Sequence, residues 1–220
     1  MAAPDLLIEL DERLLVGESY AAFSPCRTWR YSLVRRFAPG PLLRVVGLNP
    51  STADAFRNDP TVTRCVRRSA QGGFGGLLMQ NLFGLRSTDP QGLLAANDPV
   101  GPQCDELLLR PNEPVGATLV AWGAGGSGAL RRIVRERVQQ VVGFLEAHPD
   151  VPVWCLGTTS DGSPRHPLYV SNAVAMQPWS ALGRSEQHAP PAPRAEHTSV
   201  AARTKADGRR RQSGRWGLGR

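Results

Sequence analysis

Residues 42–54 read Leu-Leu-Arg-Val-Val-Gly-Leu-Asn-Pro-Ser-Thr-Ala-Asp, a segment that passes from apolar to small and polar. Its first seven residues form a short, almost continuous apolar run, the pattern of a strand buried on both faces. The run stops at Asn49-Pro50 and gives way to small polar residues. Asp59-Pro60 then supplies a helix N-cap followed by proline at the first helical position. Beyond it, Val62, Cys65, Val66 and Ser69 share one helical face, with Arg64, Arg67 and Arg68 largely on the other, until Gly72-Gly73 ends the helix. Buried strand, polar turn and amphipathic helix make one βα unit.

The same unit recurs outward from this point. Residues 74–83 form a second apolar run, and Asp89-Pro90 and Asp98-Pro99 repeat the helix-start signal for short helices through Leu94 and Leu109. Residues 117–122 read as a third strand. After the glycine loop 123–128, Leu130, Ile133, Val134, Val138, Val141, Val142 and Leu145 mark one stripe of a long helix, with Arg131, Arg132, Arg135 and Glu136 outside it. Residues 151–156 are a fourth strand. Upstream, residues 28–37 alternate well enough for a strand, and Pro39-Gly40-Pro41 turns the chain. Strands alternating with helices predict an α/β fold: a three-layer α/β/α domain with a short, mainly parallel, four-stranded sheet. The expected organisation is an N-terminal extension over 1–27, a single α/β domain over 28–179 and a disordered basic tail over 180–220.

Composition narrows the class. Of 220 residues 41% are apolar, enough for one core, and no apolar run approaches the roughly 18 residues of a membrane span. Residues 1–18 carry more acidic than basic side chains, unlike a secretory or transit signal, so a cytoplasmic protein is expected. The net charge of +7 is unevenly distributed. Residues 178–220 hold 9 basic and 3 acidic side chains, whereas the other 177 residues hold 17 and 16. The excess therefore belongs to the tail, which reads either as an arm contacting nucleic acid non-specifically or as an incidental extension. Lys205 is the only lysine, a compositional bias of the coding sequence. Cys26, Cys65, Cys104 and Cys155 lack metal-ligand spacing, so four reduced, mostly buried thiols and no metal are expected.

Ligands of an open parallel sheet bind beyond the carboxyl ends of its strands. The residues found there are Asn49 and Ser51 after the first strand, Asn81 and Arg86 after the second, Trp122 and Gly123 after the third, and Arg165 and His166 after the fourth. Gly123, Gly125 and Gly128 fit G-x-G-x-x-G, but the acid that should follow about 20 residues on, Asp150, precedes the next strand instead of ending it. A tight turn able to hold an anion fits better than a dinucleotide site, and no cofactor is expected. A purely structural reading makes Asn49 and Asn81 partners of backbone groups, Trp122 core, Asp54 and Asp59 caps, and Arg86 and Arg165 ion-pair partners of Asp89 and Asp161.

Asn49-Pro50-Ser51-Thr52-Ala53-Asp54, Asp59-Pro60-Thr61, Asn81-Leu82-Phe83, Arg86-Ser87-Thr88-Asp89-Pro90, Asp98-Pro99-Val100-Gly101-Pro102, Ala121-Trp122-Gly123 and Arg165-His166-Pro167-Leu168-Tyr169 together resemble the DUF1643 family, from about Trp29 to Tyr169. That family carries no assigned activity. A second resemblance is to the uracil-DNA glycosylase superfamily. Its G-x-[DN]-P motif, strand-ending Asn, W-G and H-P-S motifs are similar to Gly47-Leu48-Asn49-Pro50, Asn81, Trp122-Gly123 and His166-Pro167. The Asn form of the first motif, and Gly73-Phe74-Gly75 leading to Asn81, are similar to the mismatch-specific branch. This chain departs from the superfamily in having Ser51 after Pro50 and Leu168-Tyr169 after Pro167, and in lacking the iron–sulfur cysteine spacing of some branches.

The resemblance implies a glycosylase-like fold and N-glycosidic cleavage in nucleic acid. Asn49 and His166 become the candidate catalytic residues: Asn49 holds a water near the sugar carbon, and His166 donates a hydrogen bond to the departing base. Asn81 reads a base edge. Ser51, Arg86, Trp122 and Arg165 complete the substrate contacts, and the expected partner is nucleic acid or a nucleotide. The rival expectation is a non-catalytic nucleotide or nucleic-acid binding module on the same scaffold.

Overall fold

A computed structural model describes residues 7–11 and 19–180. The elements in chain order are strands β1 (Leu7–Asp11), β2 (Ser19–Phe23), β3 (Arg30–Arg36) and β4 (Leu42–Gly47), helix α1 (Pro60–Gln71), strand β5 (Gly76–Asn81), helices α2 (Gly92–Ala95) and α3 (Cys104–Leu109), strand β6 (Val115–Val120), helix α4 (Gly128–Glu146), and strands β7 (Val153–Cys155) and β8 (Gln177–Pro178). All eight strands join one sheet in the order β1-β2-β3-β5-β4-β6-β7-β8.

The four strands read as buried runs are the parallel centre, β5-β4-β6-β7. The expected four-stranded sheet needs correction in its extent. Three antiparallel strands, β1 to β3, extend it beyond β5, and the two-residue β8 closes it beyond β7. Strand β2, Ser-Tyr-Ala-Ala-Phe, has no clean alternation and no β-branched residue. It becomes a strand because β3 presents an unpaired edge to it, a tertiary cause that local pattern does not carry. The basic tail lies, from residue 181 onward, outside the described residues.

Two apolar clusters fill the faces of the sheet. On one, Val46, Leu82, Val120 and Cys155 pack against α3 and α4 through Leu107, Leu108, Leu130, Val134 and Val141. On the other, Leu43, Val45, Leu77, Met79, Ala117 and Leu119 pack against α1 through Val62 and Cys65. Helix α1 begins as expected: Asp59 accepts a hydrogen bond from the Val62 N–H at 2.8 Å, and Pro60 occupies the first turn. Among the described residues no helix is long and apolar enough to cross a membrane.

The expected outer face of α1 is wrong at one position. Arg68 is buried, and its guanidinium donates to the carbonyls of Val170, Ser171 and Val174. Arg137 of α4 is likewise buried, donating to the Leu82 carbonyl and paired with Asp105. Arg44, in the middle of the central strand, donates to Thr118 Oγ1 at 2.9 Å and to the Leu108 carbonyl at 3.1 Å, and burial pushes its pKa down to about 10. These arginines tie loops and helix ends to the sheet through a planar fork that a lysine ammonium cannot reproduce. The arginine bias therefore has a structural use at these positions.

Cys65, Cys104 and Cys155 are buried free thiols, and Cys26 is exposed. Hydrogen bonds with the Ser24 and Thr28 hydroxyls, both at 3.3 Å, lower the Cys26 pKa to about 7, whereas burial raises Cys65 to about 12 and Cys104 to about 11. Because the thiolate is the nucleophile, iodoacetamide at pH 7.5 is expected to modify Cys26 alone in the folded protein. Mass mapping that finds Cys65 or Cys104 modified as fast would contradict the burial pattern.

Candidate functional site

Strand β4 is followed by α1 on one face of the sheet, whereas β5 and β6 are followed by α3 and α4 on the other. Its loop must then splay from theirs, opening a crevice beyond the carboxyl ends. The backbone ladder continues into this rim. Leu82 and Phe83 N–H groups donate to the Gly47 and Leu48 carbonyls at 2.8 and 3.0 Å, Ser87 N–H to Pro50 at 2.9 Å, and Gly123 N–H to Pro164 at 3.0 Å. The loop after β4 is thus held to the loop after β5, and the loop after β6 to the segment after β7.

A cleft of about 370 Å³ opens there. Asn49, Ser51, Asn81, Trp122 and His166 all line it, so five of the seven residues singled out from sequence share one cavity. Arg86 and Arg165 are outside the lining. Arg86 lies over the Phe23 ring at 5.1 Å and donates to the Arg27 carbonyl, and Arg165 is exposed and donates to the Thr158 carbonyl. Neither forms the ion pair of the structural reading: Asp89 caps the Gln91 N–H, and Asp161 pairs with Arg131 at 3.4 Å. The lining also contains Arg30, Asp59, Thr61, Ser87, Thr88 and Tyr169, none of them selected from sequence. Asp59, Thr61, Ser87, Thr88 and Tyr169 lie within the sequence motifs named above, which carry the signal for them. Arg30 sits in an antiparallel strand outside the βα pattern and carried none.

Asn81 is the unusual member. It is only 2% exposed, yet neither its Nδ2 nor its Oδ1 has a hydrogen-bond partner. Buried amides in native proteins are almost always paired, and an unpaired one costs about 1–3 kcal/mol. Its neighbour across the ladder is Gly47, where an added Cβ would stand 2.9 Å from Asn81 Oδ1. The glycine thus leaves space for the amide on the cleft side of the sheet.

Asn49 differs in having its NH2 group fully used, donating to Ser87 O at 2.8 Å and to Pro50 O at 3.2 Å. The amide orientation is thereby fixed, and Oδ1 remains as an acceptor. His166 accepts from Leu168 N–H through Nδ1 at 3.3 Å. Burial lowers its pKa, opposed by the charge of Asp59, so the ring is neutral near pH 7 and carries its proton on Nε2. Tyr169 lies beside it, ring centroids 5.6 Å apart, and is 85% exposed. Trp122 is mostly core, packed edge-to-face on Trp179.

The glycine loop folds onto its own helix. Added Cβ atoms at Gly125 and Gly126 would meet Val134 and Leu130 of α4 at 2.6 and 2.7 Å. These positions serve close loop–helix packing, and their positive φ angles require glycine. Among the described residues no group of three or more His, Cys, Asp or Glu side chains is placed to hold a metal ion.

A larger cavity, about 820 Å³, opens at the amino ends of the parallel strands between Phe74, Trp154 and Met176. Volume alone would select it. The carboxyl-edge cleft is preferred because it gathers the amides, the imidazole and the hydroxyls that chemistry needs.

Residues 30–168 match the family model described as a protein of unknown function, DUF1643. No curated protein and no solved structure matches the chain.

Proposed function

The chain belongs to the DUF1643 family, a description that assigns no activity, and from the chemistry of its cleft we propose that it hydrolyses the N-glycosidic bond of a nucleobase in nucleic acid. The observation that carries this reading is the Asn81 amide, buried in the cleft with donor and acceptor both unpartnered. A nucleobase edge offers the complementary acceptor and donor in one plane.

The remaining groups support the same chemistry. Asn49, its NH2 group anchored, offers Oδ1 to a water positioned against the sugar carbon. The water oxygen forms the new C–O bond, the C–N bond breaks with its electron pair leaving on the base, and the water proton is taken up by the departing base. His166, neutral with Nε2–H as donor, stabilises the negative charge developing on a base oxygen. Tyr169, exposed at the cleft, supplies a face on which a flipped or single-stranded base can stack.

The test is a panel of uracil-, hypoxanthine- and mismatch-containing oligonucleotides, single- and double-stranded, scored for abasic product. At least one substrate is expected to yield product with wild-type protein. Absence of product throughout, alongside binding that rising salt weakens, would assign the cleft to a non-catalytic nucleic-acid binding module instead.

A further inference from the structure

We propose that Arg30 is an anion subsite of the cleft and that the ligand it receives carries a phosphate group, an inference that rests on the nucleobase reading above. Arg30 is 2% exposed and lines the cleft. Its Nη1 donates to the Ala53 carbonyl at 2.9 Å, but its Nε–H has no acceptor. Among the described residues no carboxylate lies within ion-pair distance of it, unlike the buried Arg137 with its partner Asp105. Buried charges in native proteins are paired or hydrogen-bonded in full. A guanidinium that is neither, on the wall of a cleft, is completed by an anion from outside.

The surroundings favour that anion. Asp59 is the main acid acting on Arg30; it caps α1 through Oδ1, keeps its charge and offsets one arginine. Arg35 and Arg86 add two positive charges around the site, against the one other carboxylate, Asp54. The hydroxyls of Ser51 and Thr88 line the same cleft. Guanidinium and hydroxyl donors around one cavity suit a multi-oxygen anion such as phosphate.

The phosphate has two possible sources, a free nucleotide or a polynucleotide backbone, and the experiment separates them. Inorganic phosphate, 2′-deoxynucleosides, their 5′-monophosphates and a short single-stranded oligonucleotide without terminal phosphate are titrated calorimetrically at constant ionic strength. Wild-type protein is expected to bind inorganic phosphate and to favour monophosphates over nucleosides by about tenfold or more, the size of a charge-assisted hydrogen bond. Tight binding of the oligonucleotide identifies the backbone as the source, and of the monophosphates alone, a free nucleotide.

In Arg30→Met the preference should fall below about twofold, within the scatter of a lost contact. If Arg30→Met fails to fold, Arg30→Lys, which keeps charge but removes the fork, serves as the second variant and should lose most of the preference. Equal affinity for nucleoside and nucleotide in wild type, or an unchanged preference in a folded Arg30 variant, overturns the proposal. Phosphate-dependent binding without abasic product would remove the glycosidic reading and leave this one. Abasic product without phosphate dependence would do the reverse.

Discussion

Asn81→Leu is expected to abolish base recognition while leaving the protein as stable as wild type or more so. An ordinary buried asparagine behaves in the opposite way, because its removal strands the groups it was bonded to. Here Nδ2 and Oδ1 have no partners to strand. Leucine matches the side chain in size and removes two buried polar groups, so urea unfolding should show stability unchanged or raised by about 1–2 kcal/mol. Turnover should fall by about 100-fold or more, since a site built to hydrogen-bond its substrate discriminates strongly when those bonds are absent. A loss of several kcal/mol with substrate binding intact would show that the amide is structural, and would remove the observation on which the proposed function stands.

Asn49→Ala tests the other half of the cleft. If Oδ1 positions the attacking water, alanine should lower kcat by about 100-fold or more and leave KM within a few-fold, because positioning acts on the reacting atoms and not on the bound base. A stability cost accompanies it. The Nδ2 bond to Ser87 O joins the loop after β4 to the loop after β5, that to Pro50 O braces the first loop on itself, and losing both should cost about 1–2 kcal/mol. The kcat–KM split separates the two roles, since a merely loosened loop would raise KM as well. A parallel rise in KM and fall in kcat would make Asn49 a structural residue of the rim.

These two asparagines show how far residue type can be read. Both end or follow a buried strand, and the sequence offers the same alternatives for each: backbone partner or ligand contact. The structure separates them. Asn49 spends its donors on carbonyls and keeps an acceptor, whereas Asn81 spends nothing. Hydrogen-bond satisfaction is a property of the assembled neighbourhood, here the loop carrying Ser87 and the glycine at 47, and neither is implied by an asparagine's local context.

The parallel centre of the sheet, the start of α1, the stripe of α4 and the rim on which Asn49, Asn81 and His166 meet are legible in the sequence. Those features rest on local causes: apolar runs buried on both faces, the Asp-Pro caps, the helical repeat of apolar residues, and the rule that binds ligands beyond parallel strand ends. The remaining features arise from contacts between distant parts of the chain. Strands β1, β2 and β8 exist because partner edges are available. Arg68 and Arg137 are buried because carbonyls at distant loop ends, at Val170 and Leu82, lie within reach of their guanidinium groups. Arg30 enters the cleft because β3 pairs antiparallel with β5, which brings the start of β3 to the carboxyl end of β5 beside Asn81. Each of these depends on groups far apart in the chain, and so on the assembled sheet and not on any window of sequence.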